Sequence, residues 1–206
     1  DMQARGFLLG ATAGRTTLNG EGLQHQDGHS HILSSTIPNC VSYDPTFAHE
    51  VAVILQAGLK RMVENQENVW YYVTLMNENY PHPGLKKGQE EGILRGIYRL
   101  REGPAGSGMG ASIQRVQLLG SGTILREAIA AAELLWNDWG VAGDVWSVTS
   151  FTELRRDGMD AERWNLLHPA EKPRKAYVTE QLEKTVGPIV ATTDYMRLFA
   201  DQIRAY

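Results

Sequence analysis

Cysteine is almost missing from this chain: Cys40 is the one thiol among 206 residues. An internal disulfide framework is therefore excluded, and a reducing, cytoplasmic setting suits the composition. Long apolar runs are missing as well, which excludes a membrane-spanning helix. A basic surplus is lacking, since twenty Lys and Arg face twenty-four Asp and Glu for a net charge of −4, and no basic track offers itself to nucleic acid. A secretory leader is not expected here either: the apolar patch at 6–11 is led by Asp1, followed by Arg15, and no small-residue cleavage site closes it. The first residue is not methionine, and the last thirteen read as a helix without a stop signal. Both ends read as cut, and the expectation is a piece of a longer chain.

What is present is an ordinary globular balance, 42% hydrophobic and 21% charged, on a chain long enough to bury a core. Strands are expected at 6–11, 37–43, 69–76, 97–100, 116–119, 144–149 and 189–192. Helices are expected from Asp44-Pro45 onward, from about Gly88, over 124–138, near 161–167, from about Arg174, and finally from an N-cap at Thr193 or Asp194. The Gly/Ser-rich stretch GPAGSGMGAS at 103–112 has no core residues and divides the chain into 1–102 and 113–206. Alternation of strand and helix implies an α/β fold with a mostly parallel sheet.

Chemistry concentrates in GEGLQHQDGHSH, residues 20–31, where three of the six histidines, two carboxylates and three glycines share twelve positions on an aperiodic stretch after a strand. Such long connections hold proton-transfer groups at a site. His25 and His29 are four apart, as zinc ligands on a helix would be, but the glycines oppose a helix. His29-Ser30-His31 would aim two imidazoles to one side of a strand, as in metal-dependent hydrolases, yet no further ligand set completes a metal site. A hydrolase built on His25, His29 and His31 is one alternative, and backbone-bonded histidines in an ordered loop are another. Glu21 and His25 suit a carboxylate–imidazole pair, because the acid fixes the tautomer of a group that titrates near neutral pH. LLGSGTIL at 118–125 is a strand, a Gly-x-Gly turn and a helix. It offers a phosphate cradle, but it lacks the third glycine of the dinucleotide fingerprint and is read as a tight turn. The NENYPHP loop at 77–83 follows a buried strand, where open α/β sheets place ligands.

The run GRTTLNGEGLQHQDGHSH resembles the homodimeric bacterial pyruvate dehydrogenase family, thiamine-diphosphate-dependent decarboxylases of the transketolase-like superfamily. The likeness continues through TIPNC-x-SYDP, ENVWYYVTLMNENY, QLLGSGTILR and SVTSFTELRRDGMDAERWNLLHP, and so covers the chain. The resemblance implies a later part of a pyrimidine-binding, thiamine-binding domain at 1–102, then the first part of a transketolase C-terminal-like α/β domain from 113. It implies thiamine diphosphate and Mg²⁺ as cofactors, with the Mg²⁺ ligands and the cofactor-activating glutamate on chain outside these residues. Its implied reaction decarboxylates pyruvate and passes the two-carbon unit to the lipoyl domain of the dihydrolipoyl acetyltransferase component. By the same resemblance His25 and Glu21 face the reacting end of the cofactor, with His31, in the Asp-Gly-x-x-His pattern, and then His29 as further catalytic candidates. Gln26 stands where the family usually has glutamate. A non-catalytic assembly module is the remaining alternative, should the chain act alone.

Overall fold

A computed structural model of the chain describes residues 3–10, 22–76, 78–105 and 113–206. The first sheet is parallel, with β3 (Trp70–Thr74) between β1 (Phe7–Gly10) and β2 (Cys40–Tyr43). Cys40, Val41 and Tyr43 on β2 and Tyr71 and Val73 on β3 are buried, as expected for a strand pair whose faces are both covered. One cover is α2 (Ala48–Leu59), whose Val53 and Ile54 join Tyr43, Tyr71, Val73 and Ile93 in a common core. Gly58 is required there, because a Cβ would stand 2.7 Å from the Phe7 ring.

The second sheet has the order β4-β6-β5-β7, where β4 is Tyr98–Arg101, β5 Arg115–Gly120, β6 Ala142–Ser147 and β7 Ile189–Thr192. Three strands run parallel and β4 runs antiparallel to β6. The amphipathic α4 (Ile124–Trp139) buries Leu125, Ala128 and Ala132 against one face, and α5 (Phe151–Leu167) buries Phe151 and Leu154 against the other. Shorter helices complete the fold: α1 (Ser30–Ser35), α3 (Glu90–Arg95), α6 (Tyr177–Leu182) and α7 (Arg197–Asp201).

Several local expectations change. His29-Ser30-His31 does not form a strand; it opens α1, because Asp27 Oδ1 accepts the His29 and Ser30 N–H groups at 3.1 and 3.0 Å and satisfies helix-start donors. The helix expected from Asp44-Pro45 begins at Ala48. Glu50 reaches back to accept the Thr46 and Phe47 N–H groups at 2.6 and 2.9 Å, the return half of a capping box. The short helix expected near 161–167 is the end of α5, which starts at Phe151 under an N-cap made by Ser150. The last helix starts after Met196, so neither Thr193 nor Asp194 caps it. The strand expected at 97–100 belongs by its pairing to the second sheet, so the division between sheets falls ahead of it. Most of the Gly/Ser-rich stretch, residues 106–112, lies outside the described residues.

The carboxyl ends of the two sheets' parallel strands are joined in one seam. Asp44 N–H donates to Thr149 O at 2.8 Å, Gly122 N–H to Asp44 O at 3.0 Å, and Ser150 Oγ to Ser42 O at 2.6 Å. Glu50 of α2 crosses the same seam, accepting from Tyr98 Oη on β4 at 2.7 Å and Ser147 Oγ on β6 at 2.5 Å. Parallel α/β sheets bind ligands at this end, so the seam positions the site.

Candidate active site

Of the four sequence-predicted site residues, His25 and His29 lie on the connection between β1 and α1 and His31 in the first turn of α1, whereas Glu21 lies outside the described residues. His25 ends a short 3₁₀ turn, Leu23–His25, and is exposed. His29 is at the N-cap position of α1 and is also exposed. His31, two residues on, faces the opposite environment and is fully buried. Asp27 anchors the segment, because burial pushes its carboxyl up but hydrogen bonds from the Ser30 hydroxyl and the Ser30 and His29 N–H groups outweigh this and hold it below its ordinary range.

His31 sits in an aromatic box, stacked on Phe199 with ring centroids 4.7 Å apart, edge-on to Tyr195 at 4.8 Å and tilted against Tyr72 at 5.1 Å. Its Nδ1 lies 3.2 Å from Ser42 Oγ and its Nε2 3.0 Å from Thr74 Oγ1. Desolvation lowers its pKa to about 3, with only a weak counter-pull from Asp27, so the ring is neutral. Thr74 in turn donates to Asp44 Oδ1 at 2.6 Å. Asp44 is buried at the end of β2 with Oδ2 lacking a hydrogen-bond partner. Burial raises its pKa to about 7 against the Thr74 hydrogen bond and that of Ser121, whose hydroxyl also points to Thr193 at 3.4 Å; Asp194 and Glu50 add like-charge repulsion.

The metal alternative finds no support in this arrangement. Among the described residues no three His, Cys, Asp or Glu side chains are placed to hold a metal ion. Both nitrogens of His31 are already engaged with hydroxyls, and α1 turns His29 away from it, exposed where His31 is buried. The Gly-x-Gly turn, Gly120-Ser121-Gly122, packs on Asp44, and Thr46 Oγ1 donates to Gly122 O at 2.6 Å. In the proline loop, Tyr80 and His82 pack on Phe47, and His82 Nδ1 accepts the Ala48 N–H at 3.1 Å.

Sequence reasoning did not single out Ser42, Asp44, Thr74 or Tyr195. A signal existed: polar residues at the carboxyl ends of otherwise apolar parallel strands, where buried side chains meet a ligand or a neighbouring sheet. Asp44 was masked by its second property, that Asp-Pro marks a helix start.

Comparison with known proteins places this geometry. The family described as pyruvate dehydrogenase E1 component middle domain matches residues 1–83, and the transketolase-like C-terminal domain family matches 96–206. The chain belongs to the pyruvate dehydrogenase E1 family. It is 61% identical over 209 aligned residues to the pyruvate dehydrogenase E1 component of Escherichia coli and 59% identical over 206 to that of Cupriavidus necator. Both alignments cover all of this chain but only 22% and 23% of those proteins, so the chain spans under a quarter of their length. Among solved structures, transketolase from Leishmania mexicana aligns with a TM-score of 0.59 at 16% identity, covering 91% of this chain and 23% of that one. A Pichia stipitis transketolase variant aligns with a TM-score of 0.60 at 16% identity, covering 90% and 22%. At such identity these structures speak for the fold alone: transketolase-like α/β, with a parallel first sheet and a mixed second sheet. Among the described residues no helix of this E1-family chain is long and apolar enough to cross a membrane.

Proposed function

We propose that this chain is part of an enzyme that decarboxylates pyruvate with thiamine diphosphate and reductively acetylates the lipoyl group of a dihydrolipoyl acetyltransferase, acting as a cytoplasmic homodimer within the multienzyme complex. The observation that carries this reading is identity of 59–61% along the whole chain to proteins named pyruvate dehydrogenase E1 component, with the β1–α1 connection delivering an exposed imidazole.

The described residues do not fit the diphosphate and its Mg²⁺, because no cluster of metal-ligating side chains exists among them. Holding those groups falls to chain outside these residues. What this chain supplies is proton management and position. The exposed His25 ring orients pyruvate and, as a hydrogen-bond donor, stabilises or protonates the oxyanion that develops on its keto oxygen, and Glu21, four residues earlier in the sequence, is the candidate acid to act with it. His29 borders the same connection. His31, enclosed behind it, holds α1 against β2 and β3 through Ser42 and Thr74.

Turnover of the full-length enzyme tests the assignment. His25→Ala is expected to lower kcat by about 10²-fold or more while leaving thiamine diphosphate affinity nearly unchanged, the size typical of losing a positioned acid–base group. Unchanged kcat would remove His25 from the chemistry, and loss of cofactor affinity alone would make it a binding residue.

A further inference from the structure

Four buried side chains, Ser42, His31, Thr74 and Asp44, form three consecutive hydrogen bonds of 3.2, 3.0 and 2.6 Å across α1 and the ends of β2 and β3. Each inner member can both donate and accept, so the chain has two self-consistent directions. With Asp44 ionised, the Thr74 hydroxyl donates to Oδ1, His31 Nε2–H donates to Thr74 Oγ1, and the Ser42 hydroxyl donates to His31 Nδ1. With Asp44 protonated, its Oδ1–H donates to Thr74, Thr74 donates to Nε2, and Nδ1–H donates to Ser42. The Ser42 hydroxyl then has an alternative acceptor already in place, Thr152 Oγ1 at 3.5 Å.

We propose that Asp44 and Thr74 are positioning residues that set the tautomer of His31, the protonation state of Asp44 selecting which ring nitrogen carries the proton. The proton count balances. One proton is added at the serine end; Ser42 passes its own to Nδ1, Nε2 passes its proton to Thr74, and Thr74 passes its proton to Asp44 Oδ1. Every inner member gains one and loses one, and the carboxylate is neutralised.

Three features of the seam support this. His31 is enclosed and neutral, so a proton reaching the chain does not stay on it as imidazolium. Asp44 Oδ2 is buried without a hydrogen-bond partner, so of the two carboxylate oxygens Oδ1, through Thr74, is the one tied into the chain, and burial opposes the charged form. The titratable groups facing the chain are like-charged or neutral: Glu50 from α2, Asp194 and Tyr195 from the turn after β7, Asp27 ahead of α1, and Tyr72 of β3. The Asp44 carboxyl accordingly changes charge at about 7. This inference concerns the seam itself and does not need the reaction proposed above.

Infrared difference spectra of the full-length protein with isotope-labelled histidine, taken between about pH 5.5 and 8.5, test it. The expected result is a buried carboxylic-acid carbonyl band that disappears as pH rises, with the His31 ring bands, identified by subtraction with His31→Gln, changing tautomer at the same midpoint. Asp44→Asn removes the carbonyl band and the pH dependence of the ring bands together. Thr74→Val keeps the carboxyl titration but uncouples the ring, and Thr74→Ser restores the coupling. A carboxyl titration with invariant His31 bands, or a carbonyl band that survives Asp44→Asn, would overturn the proposal. If Asp44→Asn does not fold, the Thr74 pair decides: equal coupling in Thr74→Val and Thr74→Ser overturns it, and loss with rescue supports it.

Discussion

Gly122 lies against the Asp44 carboxylate so closely that a Cβ on it would stand 2.5 Å from Oδ2 and 2.6 Å from Oδ1. One turn of the second sheet thus closes directly on the acid that ends a strand of the first.

Gly122→Ala is expected to destabilise the protein by roughly 2–4 kcal/mol. The residue has φ of +52°, which favours glycine by about 1 kcal/mol, and the added methyl overpacks a rigid seam at a cost of about 1–3 kcal/mol. Urea midpoints measured at constant m-value check it, and a change under 0.5 kcal/mol would mean that the seam yields.

Glu50 is buried with four donors on its carboxylate: two backbone N–H groups ahead of α2, Tyr98 Oη and Ser147 Oγ. Burial, and then Glu50 itself, push the Tyr98 hydroxyl well above its ordinary range, so it stays a donor. Glu50→Gln turns an NH₂ toward one pair of donors and should cost about 1–3 kcal/mol. Tyr98→Phe removes one donor and should cost about 1 kcal/mol. Thermal unfolding of both variants reads the order, and Tyr98→Phe being the worse of the two would contradict it.

Ser150 both caps α5, accepting the Glu153 N–H at 3.0 Å, and donates to Ser42 O at 2.6 Å. Ser150→Ala should therefore cost about 1–3 kcal/mol, the loss of a cap together with an unpaired buried carbonyl. Hydrogen exchange should quicken in the first turn of α5, and Ser150→Thr should restore protection. Uniformly unchanged exchange would show that the cap contributes little.

Two buried groups shift stability with pH in opposite directions. His31 titrates at about 3 in the fold against 6.5 unfolded, so stability falls as pH drops from 6.5 toward 3, where only the unfolded chain takes up that proton. Asp44 titrates at about 7 against 3.8 unfolded, so stability falls as pH rises from 3.8 toward 7, where only the unfolded chain releases it. Between 3.8 and 6.5 the two slopes, each about 1.4 kcal/mol per pH unit, oppose one another. Asp44→Asn should unmask the histidine, so that variant stability relative to the parent climbs with pH across this window. Urea unfolding of both proteins at about pH 4.5 and 6 measures the difference. An unchanged difference would mean that the Asp44 carboxyl is not shifted.

Local elements were legible wherever a strong period met clear punctuation. The apolar spacing of Ile124, Leu125, Ala128 and Ala132 defines α4, which runs one residue past its expected end, and the β-branched run Ile189–Thr192 is β7 residue for residue. The Leu-Gly-Ser-Gly turn is a turn in the structure as well. The start of α5 was not legible, because ELRRDGMDAERW is a charge-rich face with a central glycine and too few apolar positions to set a period. The α1 start was hidden by the three glycines ahead of it in the sequence, Gly20, Gly22 and Gly28, and by the fact that its helix-start donors are satisfied by Asp27, two residues ahead of the N-cap.

By itself the sequence determined the α/β class, the strand–helix alternation and the segment that carries His25, since these rest on residue spacing and on local turn chemistry. Tertiary structure alone decided that β4 joins the second sheet, that His29 is exposed while His31 is enclosed, and that Asp44 meets Thr74, Gly122 and His31. Strand partners and buried polar contacts are made between residues up to 110 positions apart, as between Ser42 and Thr152, and no local period encodes them.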